Sequence, residues 1–200
     1  MKKLLPLALA ALALTSCDKE QEDLSPEPQN AAVIVHKQIG ASFGYATPLQ
    51  IDVNNDGKYD FSFGNTLVSD SEGAHNLFYI RALDQHQLLL NTTTEISAGN
   101  WGAGLYVNDL VEEDQAKNFQ WKRDAGYLLD INKPDDRFTN YSGPMSFNGG
   151  SQYVGIRIKD GDAFKSGWIK LSYTMGSESI AVVEAAYLAS ENQSLKAGQR

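Results

Sequence analysis

The segment between Ile51 and Phe61 carries oxygen-bearing side chains at a regular spacing, at Asp52, Asn54, Asp56 and Asp60. A hard cation such as Ca²⁺ binds about six to eight oxygens, and a D-x-N-x-D-G-x-x-D spacing lets consecutive side chains converge on one point. Gly57 falls where a loop around a metal must turn sharply, and Lys58 would contribute its backbone carbonyl. The spacing therefore predicts a structural calcium site formed by Asp52, Asn54, Asp56, Lys58 and Asp60.

The same residues permit a second interpretation, because Asn, Asp and Gly also favour tight turns that bind no metal. Crowding three carboxylates into one loop without a cation would be repulsive, which favours the ion. An EF-hand would place a glutamate at the twelfth position, where this chain has Phe63, and strand-forming residues flank the loop. The segment instead resembles the calcium loops of FG-GAP-type repeats and of similar extracellular β-proteins. It occurs once, so the resemblance does not imply a propeller.

The elements that must hold this loop are short extended runs separated by Gly, Asn, Asp and Ser, with little helical periodicity. Such a pattern predicts an all-β fold, an antiparallel β-sandwich or jelly-roll-like single domain over residues 31–200. The predicted strands are Ala32–Ile39, Pro48–Val53, Tyr59–Phe63, Leu77–Leu83, Gln87–Asn91, Gly104–Val107, Asn118–Lys122, Gly126–Ile131, Tyr153–Lys159, Gly167–Thr174 and Ile180–Leu188.

A few segments receive other predictions. Leu110–Lys117 has enough Glu, Gln, Ala and Leu for a short helix, and Asn132–Asp136 has the composition of a loop. Lys159–Asp162 is typical of a hairpin turn. In the strand before that turn, Val154, Ile156 and Ile158 are predicted to face one side and Tyr153, Gly155 and Arg157 the other.

The N-terminus predicts an export signal. Met1-Lys2-Lys3 precedes an apolar run from Leu4 to Leu14, too short to span a bilayer as a mature helix. The run ends in Leu14-Thr15-Ser16-Cys17, with the chain's one cysteine. This ending resembles the lipobox of bacterial lipoproteins, which implies removal of residues 1–16 and acylation of Cys17. Two or more acyl chains would then hold the protein stably to a membrane.

The segment after the cysteine is acidic and contains proline. Residues 17–30 have almost no apolar side chains, which predicts a lipidated, flexible tether. An acidic run directly after Cys17 resembles the surface-export signals of lipoproteins in the Bacteroidetes. The resemblance implies a cell-envelope protein at the outer membrane, with exposure at the cell surface left open.

The charge balance excludes some classes of partner. Loss of Lys2 and Lys3 with the signal peptide lowers the formal net charge from −8 to −10. Nucleic acid and anionic headgroups would be repelled by such a chain. With Cys17 acylated, the folded part can form no disulfide, so its stability must come from burial, to which a bound ion could add.

Four C-terminal segments carry a family resemblance: Tyr153–Ile158, Gly167–Leu171, Ala185–Leu188 and Leu195–Gln199. In this order they resemble uncharacterised secreted bacterial β-proteins that have a YLGL-(K/R)-F strand, a YGW-x-(R/K)-L strand, an AYE segment and a closing AGQ. Ser166 precedes Gly167, where that pattern has an aromatic residue, and Leu188 follows Tyr187, where it has an acid. The resemblance implies a fold and carries no activity.

Trp101 is the best candidate for a ligand contact, because its Gly-rich surroundings predict a loop that leaves the ring free. Trp168 is predicted to lie in the core. His36, His75 and His86 have no metal-ligand spacing and are predicted to be surface or strand residues. The sequence favours a calcium-stabilised binding module for a glycan or an envelope protein. The alternatives are a glycan-active hydrolase and a structural accessory of an outer-membrane complex.

Overall fold

The computed structural model describes residues 32–96, 98–135, 137–146, 151–191 and 193–200. The predicted signal peptide (1–16), the lipid-bearing Cys17 and the tether (17–30) lie outside the described residues. Ala32–Arg200 is one folded unit.

The described residues form thirteen strands and contain no helix, which confirms the all-β prediction. The strands are β1 (Ile34–Gly44), β2 (Leu49–Ile51), β3 (Phe61–Asp70), β4 (Gly73–Ala82), β5 (Gln87–Ile96), β6 (Gly99–Gly102), β7 (Gly104–Leu105), β8 (Phe119–Lys122), β9 (Ala125–Asp135), β10 (Phe138–Ser142), β11 (Ser151–Asp160), β12 (Ala163–Ser172) and β13 (Ser179–Leu188).

All thirteen strands belong to one sheet in the order β1-β13-β12-β11-β5-β6-β9-β4-β3-β2, with β10 on β9, β7 on β11 and β8 on β5. The pairs are antiparallel except β6 with β9. The sheet curls until β1 approaches β2 and β3, so the facing layers of the fold come from one nearly barrel-like sheet. Curling brings the two ends of the sheet together and protects their unpaired backbone groups.

The two faces of the sheet carry separate apolar clusters. The larger cluster includes Phe43, Phe63 and Phe78, and the smaller one surrounds the fully buried Trp168. On β11, Val154, Ile156 and Ile158 belong to the larger cluster and Tyr153 to the smaller one, which confirms the predicted alternation. Trp168 is in the core, as predicted.

The predicted turn at Lys159–Asp162 is a tight hairpin, in which Asp160 pairs with Ala163. Gly161 has φ +56° at the turn, where a side chain would be strained. The β11–β12 hairpin lies between β13 and β5 in the sheet.

Two local predictions were wrong. Leu110–Lys117 is not a helix, because Leu110 pairs with Lys196 and the Val111 N–H donates to Leu195 O at 2.9 Å. Asn132–Asp135 is not a loop but the end of β9, where Lys133 pairs with Ala74. In both segments the pairing of distant parts of the chain outweighs the local composition.

Candidate ligand pocket and calcium loop

The predicted calcium loop joins β2 to β3. The N–H of Asp60 donates to Ile51 O at 2.8 Å and closes the loop at its base. Asp52 accepts N–H bonds from Asn55 at 2.6 Å and from Gly57 at 3.0 Å. The side chain of one residue therefore organises most of the turn.

Two more side chains bind the backbone further along the loop. Asn54 Oδ1 accepts from Asp56 N at 3.0 Å, and Asp56 Oδ1 accepts from Lys58 N at 2.8 Å. The second of these bonds lowers the pKa of the Asp56 carboxyl, because a donor favours the charged form. The side chains of Asp52, Asn54 and Asp56 thus all bind the backbone of the same turn.

Asp60 lies beneath the turn and is fully buried. Its Oδ2 accepts from Val53 N at 2.6 Å and from Asn54 N at 3.3 Å. His86 Nε2 lies 2.9 Å from Oδ1, yet Oδ1 has no aligned hydrogen-bond donor in the described part of the chain. His86 Nδ1 accepts from Lys159 N at 2.9 Å, so the ring carries its proton on Nε2.

The loop also binds a cation of the protein itself. The Lys37 ammonium group donates to the Asp52 backbone carbonyl and to Asn55 Oδ1. Among the described residues, no group of three or more His, Cys, Asp or Glu side chains is placed to hold a metal ion. A calcium site here would need Asn54 and backbone carbonyls to complete the ligand set.

Trp101 lies in β6, so the predicted loop around it was wrong. Asn91 of β5 and Tyr127 of β9 pair with it from the two sides. The ring is half-buried and borders a cavity of about 270 Å³. The cavity is lined by Asn91, Trp101, Gly102, Gly104, Tyr106, Phe119, Gly143, Pro144 and Gln152, and we call it the Trp101 pocket.

Two glycines allow close packing in the wall of the Trp101 pocket. A Cβ on Gly143 would lie 2.3 Å from Trp101 Cζ3, so the indole rests directly on the Gly143 backbone. A Cβ on Gly104 would lie 2.7 Å from Pro144 Cβ and 2.8 Å from Gln152 Oε1. Without side chains, these two glycines let the indole, Pro144 and the Gln152 amide pack directly against the backbone.

Gln152 is the polar group that sets the chemistry of this pocket. Only 6 % of the residue is exposed, and Oε1 has no hydrogen-bond donor among the described residues. A buried acceptor left without a donor is unfavourable by about 1–3 kcal/mol. The side chains that line the pocket are all uncharged. The arrangement fits an uncharged ligand that offers an O–H or N–H to Gln152 and an apolar face to the aromatic rings.

Each histidine pairs with an acid, which the sequence did not predict. His36 Nε2 lies 2.8 Å from Glu184 Oε2, and His75 Nδ1 lies 2.9 Å from Asp130 Oδ2. Both acids are buried, as is Asp60 beside His86. The only signal in the sequence is an acid within an otherwise apolar strand, most clearly Glu184 between Val183 and Ala185.

A further cavity, of about 520 Å³, lies where β3, β4, β9 and β10 meet the turns after β1 and β12. Its margin includes three exposed apolar residues, Tyr45, Leu67 and Val68. Such a surface can take part in contact with another protein.

The fold and the Trp101 pocket define an all-β protein with a small uncharged side pocket. No family model, no curated protein and no solved structure matches this chain. In the part of the chain that the structure describes, no helix has the length and apolar character needed to cross a membrane.

Proposed function

We propose that this protein is a lipid-anchored binding module of the cell envelope whose β-domain holds an uncharged sugar ring in the Trp101 pocket. The observation that carries the proposal is Gln152, a buried residue that lines the pocket and whose Oε1 has no donor among the described residues. A sugar hydroxyl supplies that donor, and the C–H face of the ring packs on indole.

The size and charge of the pocket agree with this ligand. A volume of about 270 Å³ suits one ring and is below that of most drug-sized ligand sites. Hydrolysis of a glycosidic bond generally uses two carboxylates that flank the bond. No Asp or Glu lines the Trp101 pocket in the described residues, which favours binding over the hydrolase alternative.

An array of neutral glycans, probed with the full chain carrying Cys17→Ser to prevent acylation, tests the proposal. We expect binding that Trp101→Ala abolishes and Gln152→Leu weakens at least tenfold. Gln120→Ala is the matched control, because Gln120 is an exposed amide on β8 outside the pocket. Binding that survives both pocket variants, or no binding to any neutral glycan, would overturn the assignment.

We propose further that the 52–60 loop binds Ca²⁺ as a structural ion. Asp52, Asn54 and Asp56 would hold it through side-chain oxygens, Lys58 through its backbone carbonyl, and Asp60 through its buried carboxylate. The N–H bonds described above use one lone pair of each accepting oxygen of Asp52, Asn54 and Asp56, and each such oxygen has two. Asp60 Oδ2 accepts two N–H bonds, so Asp60 would bind the ion through Oδ1, which has no aligned donor among the described residues. The same contacts would also form a turn without metal, so the ion must be tested directly.

Thermal unfolding in EDTA and then in millimolar Ca²⁺ makes this test. Saturation at about 100 times the dissociation constant stabilises by about 2.7 kcal/mol. That corresponds to a rise in Tm of about 5–10 °C for a domain of this size. Asp56→Ala should abolish the rise. Asp124→Ala should not, although Asp124 also accepts a backbone N–H, from Ala125. An unchanged Tm in several millimolar Ca²⁺ would eliminate the site.

The anchor is a separate proposal, based on the lipobox resemblance at Leu14–Cys17. In the native bacterial host, Cys17→Ala should leave the protein unacylated and release it from the membrane fraction. Retention of the variant in that fraction would show that something other than the lipid holds it.

The structural-accessory alternative has one observation in its favour. The cavity of about 520 Å³ is bordered by the exposed apolar side chains of Tyr45, Leu67 and Val68. This alternative predicts that Leu67→Ser, and not Trp101→Ala, disrupts co-purification with an outer-membrane complex. The two variants therefore distinguish an accessory from a glycan binder.

A further inference from the structure

A third cavity, of about 380 Å³, opens beside β3, β4 and β9. Its charged lining is strongly biased, because three acids and one histidine face it and neither Lys nor Arg is among its lining residues. The lining residues are Val68, Asp70, Glu72, His75, Leu77, Ile96, Asp130 and Ser142, and we call this space the acidic cavity.

Asp130, in the wall of the acidic cavity, has one carboxylate oxygen with no hydrogen-bond donor among the described residues. Only 9 % of the residue is exposed. Its Oδ2 is 2.9 Å from His75 Nδ1, whereas Oδ1 is buried and has no hydrogen-bond donor among the described residues. A buried carboxylate oxygen without a donor is one of the more unfavourable polar states in a protein.

The neighbouring side chains do not supply the missing donor. His75 directs Nδ1 to Asp130, and its Nε2 lies 3.3 Å from Asp70 Oδ1 and 3.2 Å from Asn132 Nδ2. Asp70 Oδ1 already accepts the N–H of Glu72 at 2.7 Å. Even with His75 protonated, the carboxylates around the cavity outnumber the cation. The site therefore favours a positively charged group with several N–H donors.

Apart from Ser142, the rest of the wall is aliphatic. Val68, Leu77 and Ile96 line the same space, and they suit a methylene chain better than a hydrated metal ion. The described residues also include no cluster of three or more acidic, His or Cys side chains placed to hold a metal. The acidic overall charge of the chain would attract a cationic ligand to this surface.

We propose that the acidic cavity binds a primary ammonium group on an aliphatic chain, such as a lysine side chain. The ammonium group donates to Asp130 Oδ1 and to the exposed carboxylates of Asp70 and Glu72. The methylene chain packs against Leu77 and Ile96. This site is independent of the Trp101 pocket and uses none of its residues.

Calorimetric titration of the full chain carrying Cys17→Ser with three probes tests the proposal. Nα-acetyl-lysine methylamide carries the ammonium group, its norleucine analogue keeps the chain without the charge, and 1,5-diaminopentane is a free amine. We expect millimolar or tighter binding of the lysine derivative and at least tenfold weaker binding of the norleucine analogue. Binding of both amines would identify the ammonium group alone as the ligand, and binding of the lysine derivative alone would identify a peptide source.

Variants locate the binding. Asp130→Asn should weaken the lysine derivative at least tenfold, and Asp124→Asn, a change of the same type away from the cavity, should leave it unchanged. Because Asp130→Asn also removes a partner of His75, Glu72→Gln provides a second test at an exposed residue that the fold does not need. We expect it to weaken binding several-fold. Equal binding of the norleucine analogue, unchanged binding in both cavity variants, or no amine binding up to about 10 mM would overturn the proposal.

Discussion

Arg200 and Glu184 form a two-point contact in which Nη2 of the guanidinium lies 2.9 Å from Oε1 and 2.6 Å from Oε2 of the carboxylate. Glu184 is almost fully buried in β13. His36 of β1 and Lys170 of β12 approach the same carboxylate, at 2.8 Å and 3.5 Å. One acid therefore connects two neighbouring strands and the C-terminal segment to β13.

We expect Glu184→Gln to lower the free energy of unfolding by about 2 kcal/mol, because a buried acceptor of charge-assisted hydrogen bonds is lost. Burial opposes ionisation of Glu184, but bonds from Arg200 and His36 outweigh it and lower its pKa. Its stabilisation is therefore present above the unfolded pKa of about 4.3 and is lost as the pH falls through the folded pKa. Urea unfolding between pH 3 and 7 should show less acid destabilisation in the variant. Glu178→Gln, at an exposed acid, should behave as the wild type does.

For His75 we expect the opposite dependence of stability on pH. The hydrogen bond to Asp130 raises the pKa of its imidazole, so protonation stabilises the fold. This stabilisation is complete below the unfolded pKa of about 6.5 and is lost as the pH rises through the folded pKa. Urea unfolding from pH 6 to 9 should show a decline in the wild type that His75→Gln reduces. An identical decline in both proteins would assign it to other groups.

Gly143 tests whether the Trp101 pocket depends on the missing side chain. Its φ is +97°, and a Cβ there would also lie 2.9 Å from Leu128 O. We expect Gly143→Ala to lower the free energy of unfolding by about 3 kcal/mol, from backbone strain and overpacking together, and to change tryptophan fluorescence. Gly161→Ala shares the positive φ but meets no atom within 4 Å, so it should lose only about 1 kcal/mol. Equal losses would contradict the close contact with Trp101.

Substitutions at Asp60 and Asp56 distinguish the stability of the folded loop from its proposed binding of calcium. In EDTA, Asp60→Ala should lower the free energy of unfolding by about 3 kcal/mol, since it leaves the buried N–H of Val53 and the part-buried N–H of Asn54 without their acceptor. Asp56 is exposed, so Asp56→Ala should unfold in EDTA as the wild type does. A large effect of Asp56→Ala without calcium would mean that this carboxylate supports the turn itself.

The strand pattern was predictable because it is local. Alternation on β11 and the Lys159–Asp162 turn follow from side-chain direction and turn chemistry, which nearest neighbours decide. β6 and β10 were not predicted, because their Gly, Asn and Ser residues favour loops. They become strands through pairing with β5 and β9.

The 52–60 loop and the Trp101 pocket differ in the same respect, because only the loop is formed by residues close in sequence. Asp52, Asn54 and Asp56 are close in sequence, so their spacing alone predicts that they lie in one turn. The Trp101 pocket also needs Gly143 and Gln152, which are distant in sequence, and only the tryptophan was predicted.

The sequence by itself determined that this chain is an all-β protein and that Asp52, Asn54 and Asp56 share one turn between two strands. Both depend on short-range periodicity and on side chains a few residues apart. Only the tertiary structure decided which acid meets which histidine, and which buried oxygens of Gln152 and Asp130 have no donor in the described part of the chain. Those relationships arise when strands far apart in sequence are brought into one curled sheet, and no local pattern encodes that pairing.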